Sequence, residues 1–200
     1  MTNLKLVGLK TEFLISHLLL GDGVEQPSLA LSETFFSPEV LGSRLSKVTR
    51  WNGQFTGNTV AGHSLLVHDM VDKLTHGDPL TRLVALLHDA SEAYLCDIPS
   101  PIKAMLPDYR ILETRVMDLV GRFYRLPGPD DAESVKEAYE LVAKCDKYCS
   151  EIECFTINES YMGLMGYAKI NIAADDFMSM YARTLRGAWR AYNGNDRGVI

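Results

Sequence analysis

Cysteine is scarce: the chain holds four, at positions 96, 145, 149 and 154, and none forms a CxxC pair. A disulfide framework is not expected in a chain of this length, so reduced thiols packed in the interior are the simpler reading. The three clustered thiols match no usual zinc spacing. Positive charge is also short, with 20 Lys and Arg against 26 Asp and Glu and a formal charge of -6. That balance opposes a broad electrostatic grip on phosphates, and direct nucleic-acid binding is not expected. Long hydrophobic runs are missing too. The longest near the start, residues 13–20, is broken by Ser16 and His17 and is far shorter than a membrane span. It carries no convincing signal-peptide cleavage site, so no membrane association and a cytoplasmic location are the expectation. Neither an internal repeat nor a low-complexity tract interrupts the sequence.

Against those absences, 46% of the residues are hydrophobic, enough for one globular domain with a sizeable core. The apolar positions recur at helical spacing between short Gly- and Pro-marked connections, which predicts an all-α fold, a compact helical bundle. The pattern predicts a helix over residues 11–20 and a loop or irregular passage over 22–36. A second helix is expected from Pro38 to Val48 with Ser37 as its N-cap. From Asn58 to Thr75, the residues Val60, Val67, Val71 and Leu74 share one buried face. Asp78 and Pro79 open the next helix, and Pro99 and Pro101 impose an extended or turn-like passage before a helix from Tyr109 to Tyr124. A long helix begins at Asp130 or Asp131 and continues through the 140s. A last one covers residues 172–192, ending before Asn193-Gly194.

The chemistry concentrates in His88-Asp89-Ala90-Ser91-Glu92. A His beside an Asp offers two metal donors, and a Glu three residues on offers a proton-transfer group. Adjacent side chains diverge by about 100° on a helix, so the pair meets one ion only near a helix end or with other ligands closing around them. Two residues qualify as those ligands. His63 lies on the apolar face of its helix, where a polar side chain needs a partner; alone, it reads as a core histidine bonded to a carbonyl. Asp146 shares the apolar face of the long helix with Val135, Tyr139, Val142 and Cys149, where an unpaired carboxylate is costly. Its plainer partner is a buried Arg or Lys. Two imidazoles and two carboxylates suit zinc, manganese, iron or cobalt better than magnesium or calcium. His68 points away from His63 and stays outside the set.

The ordered set His63, His88-Asp89 and Asp146 is preceded by Arg50-Trp51 and carries Ala93-Tyr94-Leu95-Cys96-Asp97-Ile98-Pro99-Ser100-Pro101-Ile102-Lys103 after the pair and Glu92. In these residues the chain resembles the HD-domain metal-dependent phosphohydrolases, in the branch of the bacterial 5'-deoxynucleotidases and the phage dATP triphosphohydrolases. The likeness covers about residues 48–150, roughly half the chain. It implies a single HD-type domain over residues 1–200 with an N-terminal helical extension over about 1–47. It implies His63, His88, Asp89 and Asp146 as metal ligands, and Glu92 as the general acid/base that takes a proton from water or delivers one to the leaving 5'-oxygen. Arg50 is suited to a bidentate phosphate contact and Trp51 to a wall against the base or deoxyribose. By resemblance, Lys103 binds phosphate, and Asp97 reads the sugar 3'-hydroxyl or joins Glu92 around a second divalent cation. Tyr94 belongs either to the sugar pocket or to the core.

The Gly close after Trp51 makes the segment look more like the phage enzymes. The resemblance therefore implies attack of a metal-bound hydroxide on the α-phosphorus of dATP, releasing deoxyadenosine and triphosphate. Hydrolysis of a deoxynucleoside monophosphate is the alternative, and a catalytically silent nucleotide-binding module is a second one. Cyclic-nucleotide hydrolysis fits the segment from Asp97 to Lys103 less well. Related enzymes are oligomeric, so a homo-oligomer is expected, in the host cytoplasm if the protein is phage-encoded.

Overall fold

The computed structural model describes residues 35–53, 58–155 and 174–194. The helix expected over 11–20, most of the passage over 22–36 and the side chain of Cys154 lie outside them. The fold is all-α, as the helical spacing predicts. Among the described residues the only extended pairing is an isolated antiparallel bridge between Thr49 and Thr59.

Helix α1 spans Pro38–Leu45, and the Ser37 hydroxyl accepts from the Val40 N–H at 3.4 Å. It ends three residues before the expected Val48, because the chain turns there into the bridge that leads to α2. Helix α2, Val60–Thr75, starts on Thr59, whose hydroxyl accepts from the Gly62 N–H. It closes on His76 and Gly77, both at positive φ. Helix α3, Pro79–Leu87, has the expected Asp78 cap, accepting from the Thr81 N–H at 2.8 Å.

Two single-turn helices follow, α4 (Glu92–Leu95) and α5 (Ser100–Lys103). The second is a single helical turn within the extended or turn-like passage expected at Pro99 and Pro101. Pro101 sits in the first turn, where its missing N–H leaves no helical bond unmade. Helix α6 spans Pro107–Tyr124, and α7 spans Glu133–Phe155. The start of α7 falls later than Asp130 or Asp131, because the Asp131 carboxylate instead accepts from the Gly128 N–H at 2.7 Å and holds a turn. Helix α8 spans Ala174–Asn193 and gives way to Gly194 at φ 70°.

Helix α8 packs across α1, α3 and α2, while α7 packs on α2 and α3. The larger core cluster includes Leu41, Leu45, Val60, Leu86, Tyr181, Leu185 and Trp189; a second gathers Val67, Val71 and Val84 with Val142, Cys145 and Cys149 of α7. Buried tyrosines tie the layers together through backbone carbonyls. The Tyr181 hydroxyl donates to Leu86 and the Tyr124 hydroxyl to Phe36, both at 2.6 Å. Tyr94 does the same to Phe35, which places it in the core. Leu74, expected on the buried face of α2, is instead 59% exposed, since it lies in the last turn where α2 runs out to the surface turn at His76. No helix among the described residues is long and apolar enough to cross a membrane.

Candidate metal centre

Three helices deliver the four expected ligands. His63 projects from the inner face of α2, buried to 2% exposure. His88 is the residue that caps the C-terminus of α3, and Asp89 follows it where the helix has ended. The end of a helix is what allows adjacent side chains to converge instead of diverging. Helix α7 brings Asp146. One donor atom each from His63, His88 and Asp89 lie within 4.8 Å of one another. Asp146 Oδ1 lies 2.9 Å from His63 Nε2 and 3.8 Å from His88 Nε2. These separations are on the scale of a coordination shell with ligand distances of about 2.0–2.2 Å.

The two aspartates of the centre are ionised, while its two imidazoles hold protons that a cation would displace. His88 Nδ1 lies 2.8 Å from the Ala85 carbonyl, which fixes it as an N–H donor and turns Nε2 toward the centre; burial opposes charge on the ring, but the Asp89 carboxylate outweighs it and raises the imidazole, so ligation through Nε2 requires the loss of its proton. That Nε2 is buried, sits 3.1 Å from Asp89 Oδ2, and finds no aligned hydrogen-bond partner among the described residues. Burial opposes ionisation of Asp89, but the charges of His88, His63 and Arg50 outweigh it and hold the carboxyl below the usual range. Asp146 is lowered as well, its desolvation overcome by the hydrogen bond to His63 and the charge of His88. His63 is desolvated, yet hydrogen bonds with Asp146 and Glu153 raise it to about 9. Without an ion the ring therefore carries both protons at neutral pH, and ligation through Nε2 requires the release of one.

Glu92 differs from these carboxylates. It is buried to 3% exposure, and desolvation together with the charges of Asp89 and Asp97 pushes its carboxyl up to about 10. Its Oε2 is unpartnered among the described residues, and Lys103 Nζ stands 3.7 Å from Oε1. It is a protonated acid at neutral pH, held beside ionised groups, which is the pattern of a proton donor. Asp97 is also raised, chiefly by burial, and accepts from the Trp51 N–H at 3.3 Å.

The remaining expected residues are engaged with protein groups. Arg50 is 7% exposed; its Nε donates to Glu153 at 3.0 Å, one terminal nitrogen lies 3.4 Å from Asp89, and the other donates to Ser150 at 2.9 Å. Trp51 Nε1 donates to the same Glu153 oxygen at 3.2 Å. Lys103 Nζ donates to Glu113 at 2.6 Å. His68 stays outside the centre, as expected, bonded to Asp69 and accepting from Arg82.

Glu153, Ser150 and Glu113 were not anticipated. Ser150 and Glu153 fall four and seven residues after Asp146, so helical spacing alone would have put all three on one face of α7. For Glu113, on a different helix from Lys103, no local signal exists.

Two segments with positive-φ backbone border the centre. Trp51 has φ 57° and Asn52 φ 52°, while Cys96 has φ 66° and ψ 160°, a region that is almost confined to glycine. The Trp51–Asp97 hydrogen bond joins the two strained segments.

The fold and centre together define an all-α protein with a candidate divalent-metal site built from α2, the end of α3 and α7. No protein-family model matches the chain. It is similar to an uncharacterized protein of Rhodobacter capsulatus, 40% identical over 94 residues that cover 44% of this chain and 48% of the relative. It is also similar to the uncharacterized protein YfdR of Escherichia coli, 36% identical over 84 residues covering 42% and 44% of the two chains. The chain thus spans less than half the length of each of these relatives.

Proposed function

We propose that this chain is a metal-dependent deoxynucleotide phosphohydrolase, a dATP triphosphohydrolase of the HD-domain type. The observation that carries the reading is the convergence of His63, His88, Asp89 and Asp146 next to a buried Glu92. Nitrogen and carboxylate donors in this mixture favour a borderline divalent ion, zinc, manganese, iron or cobalt. Such an ion, when bound, makes water ionisable near neutral pH and offsets charge on a phosphoryl group.

The chain's own residues supply the rest. Glu92 holds the proton that the departing 5'-oxygen needs, and its burial keeps that proton in place at neutral pH. Lys103, 3.7 Å from Glu92, brings positive charge to the same edge, where a phosphate can compete with Glu113 for it. Arg50 adds a second cation, and the indole of Trp51 beside it offers a face to the base or sugar. Asp97, which accepts from the Trp51 N–H and whose charge is felt by Glu92, would accept from a sugar hydroxyl or share a second cation with Glu92. The reading carries with it cytoplasmic residence and a homo-oligomeric assembly, with a deoxynucleotide rather than nucleic acid as the substrate.

The test is product analysis after incubating the full chain and Mn²⁺ or Co²⁺ with dATP, dGTP, dAMP and ATP, with Glu92→Gln as control. Deoxyadenosine and triphosphate from dATP are the expected products. Deoxyadenosine and phosphate from dAMP would reassign the chain as a 5'-deoxynucleotidase, and no turnover of any substrate would leave a nucleotide-binding module.

A further inference from the structure

We propose that Glu153 is the positioning residue of the centre, a single carboxylate that orients His63 toward the metal and Arg50 and Trp51 toward the substrate. The inference rests on the reading of His63 as a ligand. Glu153 lies two helical turns after Asp146 on the same face of α7, and its side chain is 11% exposed. The two acids address opposite edges of one imidazole: Asp146 meets Nε2 and Glu153 Oε1 meets Nδ1, each at 2.9 Å. A carboxylate on Nδ1–H fixes the tautomer whose Nε2 lone pair faces an ion, and it makes the ring a stronger donor.

The other oxygen of Glu153 accepts from Arg50 Nε and Trp51 Nε1 together. This sets the edge from which the guanidinium reaches Asp89 and Ser150. It also ties the indole of Trp51, a residue at φ 57°, to α7. One side chain therefore links the ligand shell to the residues expected to touch the nucleotide.

Glutamine is the discriminating replacement. An amide has one acceptor oxygen and one donor nitrogen, so Gln can serve His63 or the Arg50–Trp51 pair but presents N–H groups to the other. The measurement is the rate at which Co²⁺ leaves the loaded full chain under excess chelator, in a range where the rate no longer depends on chelator. Dissociation is followed because equilibrium loading also counts the proton that His63 releases. Loss of a group that orients a metal ligand typically costs about 10–100-fold in affinity, and release from Glu153→Gln is expected to be faster by about that factor. With saturating Co²⁺, KM for dATP should rise more than kcat falls.

A residue that merely holds α7 in place would lower the melting temperature and leave Co²⁺ release unchanged, and that result overturns the proposal. If Glu153→Gln does not fold, Glu153→Asp serves: it keeps the charge but is one methylene too short to span both sets of partners, and the same acceleration is expected. A wild-type chain that takes up no Co²⁺ would remove the metal reading and this inference with it. Uptake by the wild type with equal release from the variants would remove this inference alone.

Discussion

At the scale of single residues, Glu92 makes the sharpest claim. Its folded carboxyl titrates at about 10, far above that of an unfolded chain, so the folded state keeps a proton that the unfolded state has lost. Stability contributed by that proton is fully present below the unfolded value of about 4.3 and declines as pH rises toward the folded one. Glu92→Gln mimics the protonated acid at every pH. In metal-free protein the variant should therefore melt with less dependence on pH between about 5 and 9 than the wild type, and higher at the alkaline end. A wild-type melting temperature that climbs with pH relative to the variant would show Glu92 to be ionised and the acid role misplaced. The same substitution should cost about 10²–10⁴-fold in hydrolysis while leaving Co²⁺ bound, as loss of a proton-transfer group does. Cys96 tests the strain beside it. Replacing it with glycine at φ 66°, ψ 160° should raise stability by about 1–3 kcal/mol, read as a higher denaturation midpoint, because glycine meets no steric penalty there.

At the scale of elements, caps and periodicity were legible in the sequence, and reach was not. Ser37 and Asp78 carry local signals, a short polar side chain before a proline-opened helix, and both serve as caps. His63 and Asp146 each interrupt an apolar stripe at helical spacing, which marks a polar group in need of a partner, but that the partner is a metal came from the resemblance and not from the spacing. Glu153 escaped because α7 was expected to run only through the 140s, which cut the stripe short of its last turn. That Arg50 and Lys103 are engaged by Glu153 and Glu113 depends on contacts between separate elements, which no spacing encodes. Helix approach is equally hidden. Gly42 lies where α1 meets α8, and a Cβ there would stand 2.8 Å from the Met178 carbonyl oxygen. Gly42→Ala must push the two helices apart and should cost about 1–3 kcal/mol, seen as a lower urea midpoint with an unchanged slope. A neutral result would mean that α8 shifts without loss.

At the scale of the whole molecule, ligand linkage gives the broadest check. An ion that binds only the folded chain stabilises it by about 2.7 kcal/mol at a hundredfold excess over its dissociation constant. Saturating Co²⁺ should raise the melting temperature of the wild type reversibly with EDTA, and His63→Ala or Asp146→Ala should abolish the rise. An equal rise in these variants would place the ion elsewhere. The donors on α2, α3 and α7 stand far apart along the chain, at positions 63, 88–89 and 146, so an ion among them acts as a cross-link that closes two long loops at one point. Its removal falls unequally on the helices it joins. Helices α2 and α3 stay pinned by each other and by α8, whereas α7 keeps its apolar seam through Val142, Cys145 and Cys149 and the polar bonds of Ser150 and Glu153, and among the described residues makes no packing contact with α8 of comparable extent. In hydrogen exchange, the amides of α7 should be the ones that chelation exposes, making the last ligand-bearing helix the part of the fold whose breathing reports whether the site is filled.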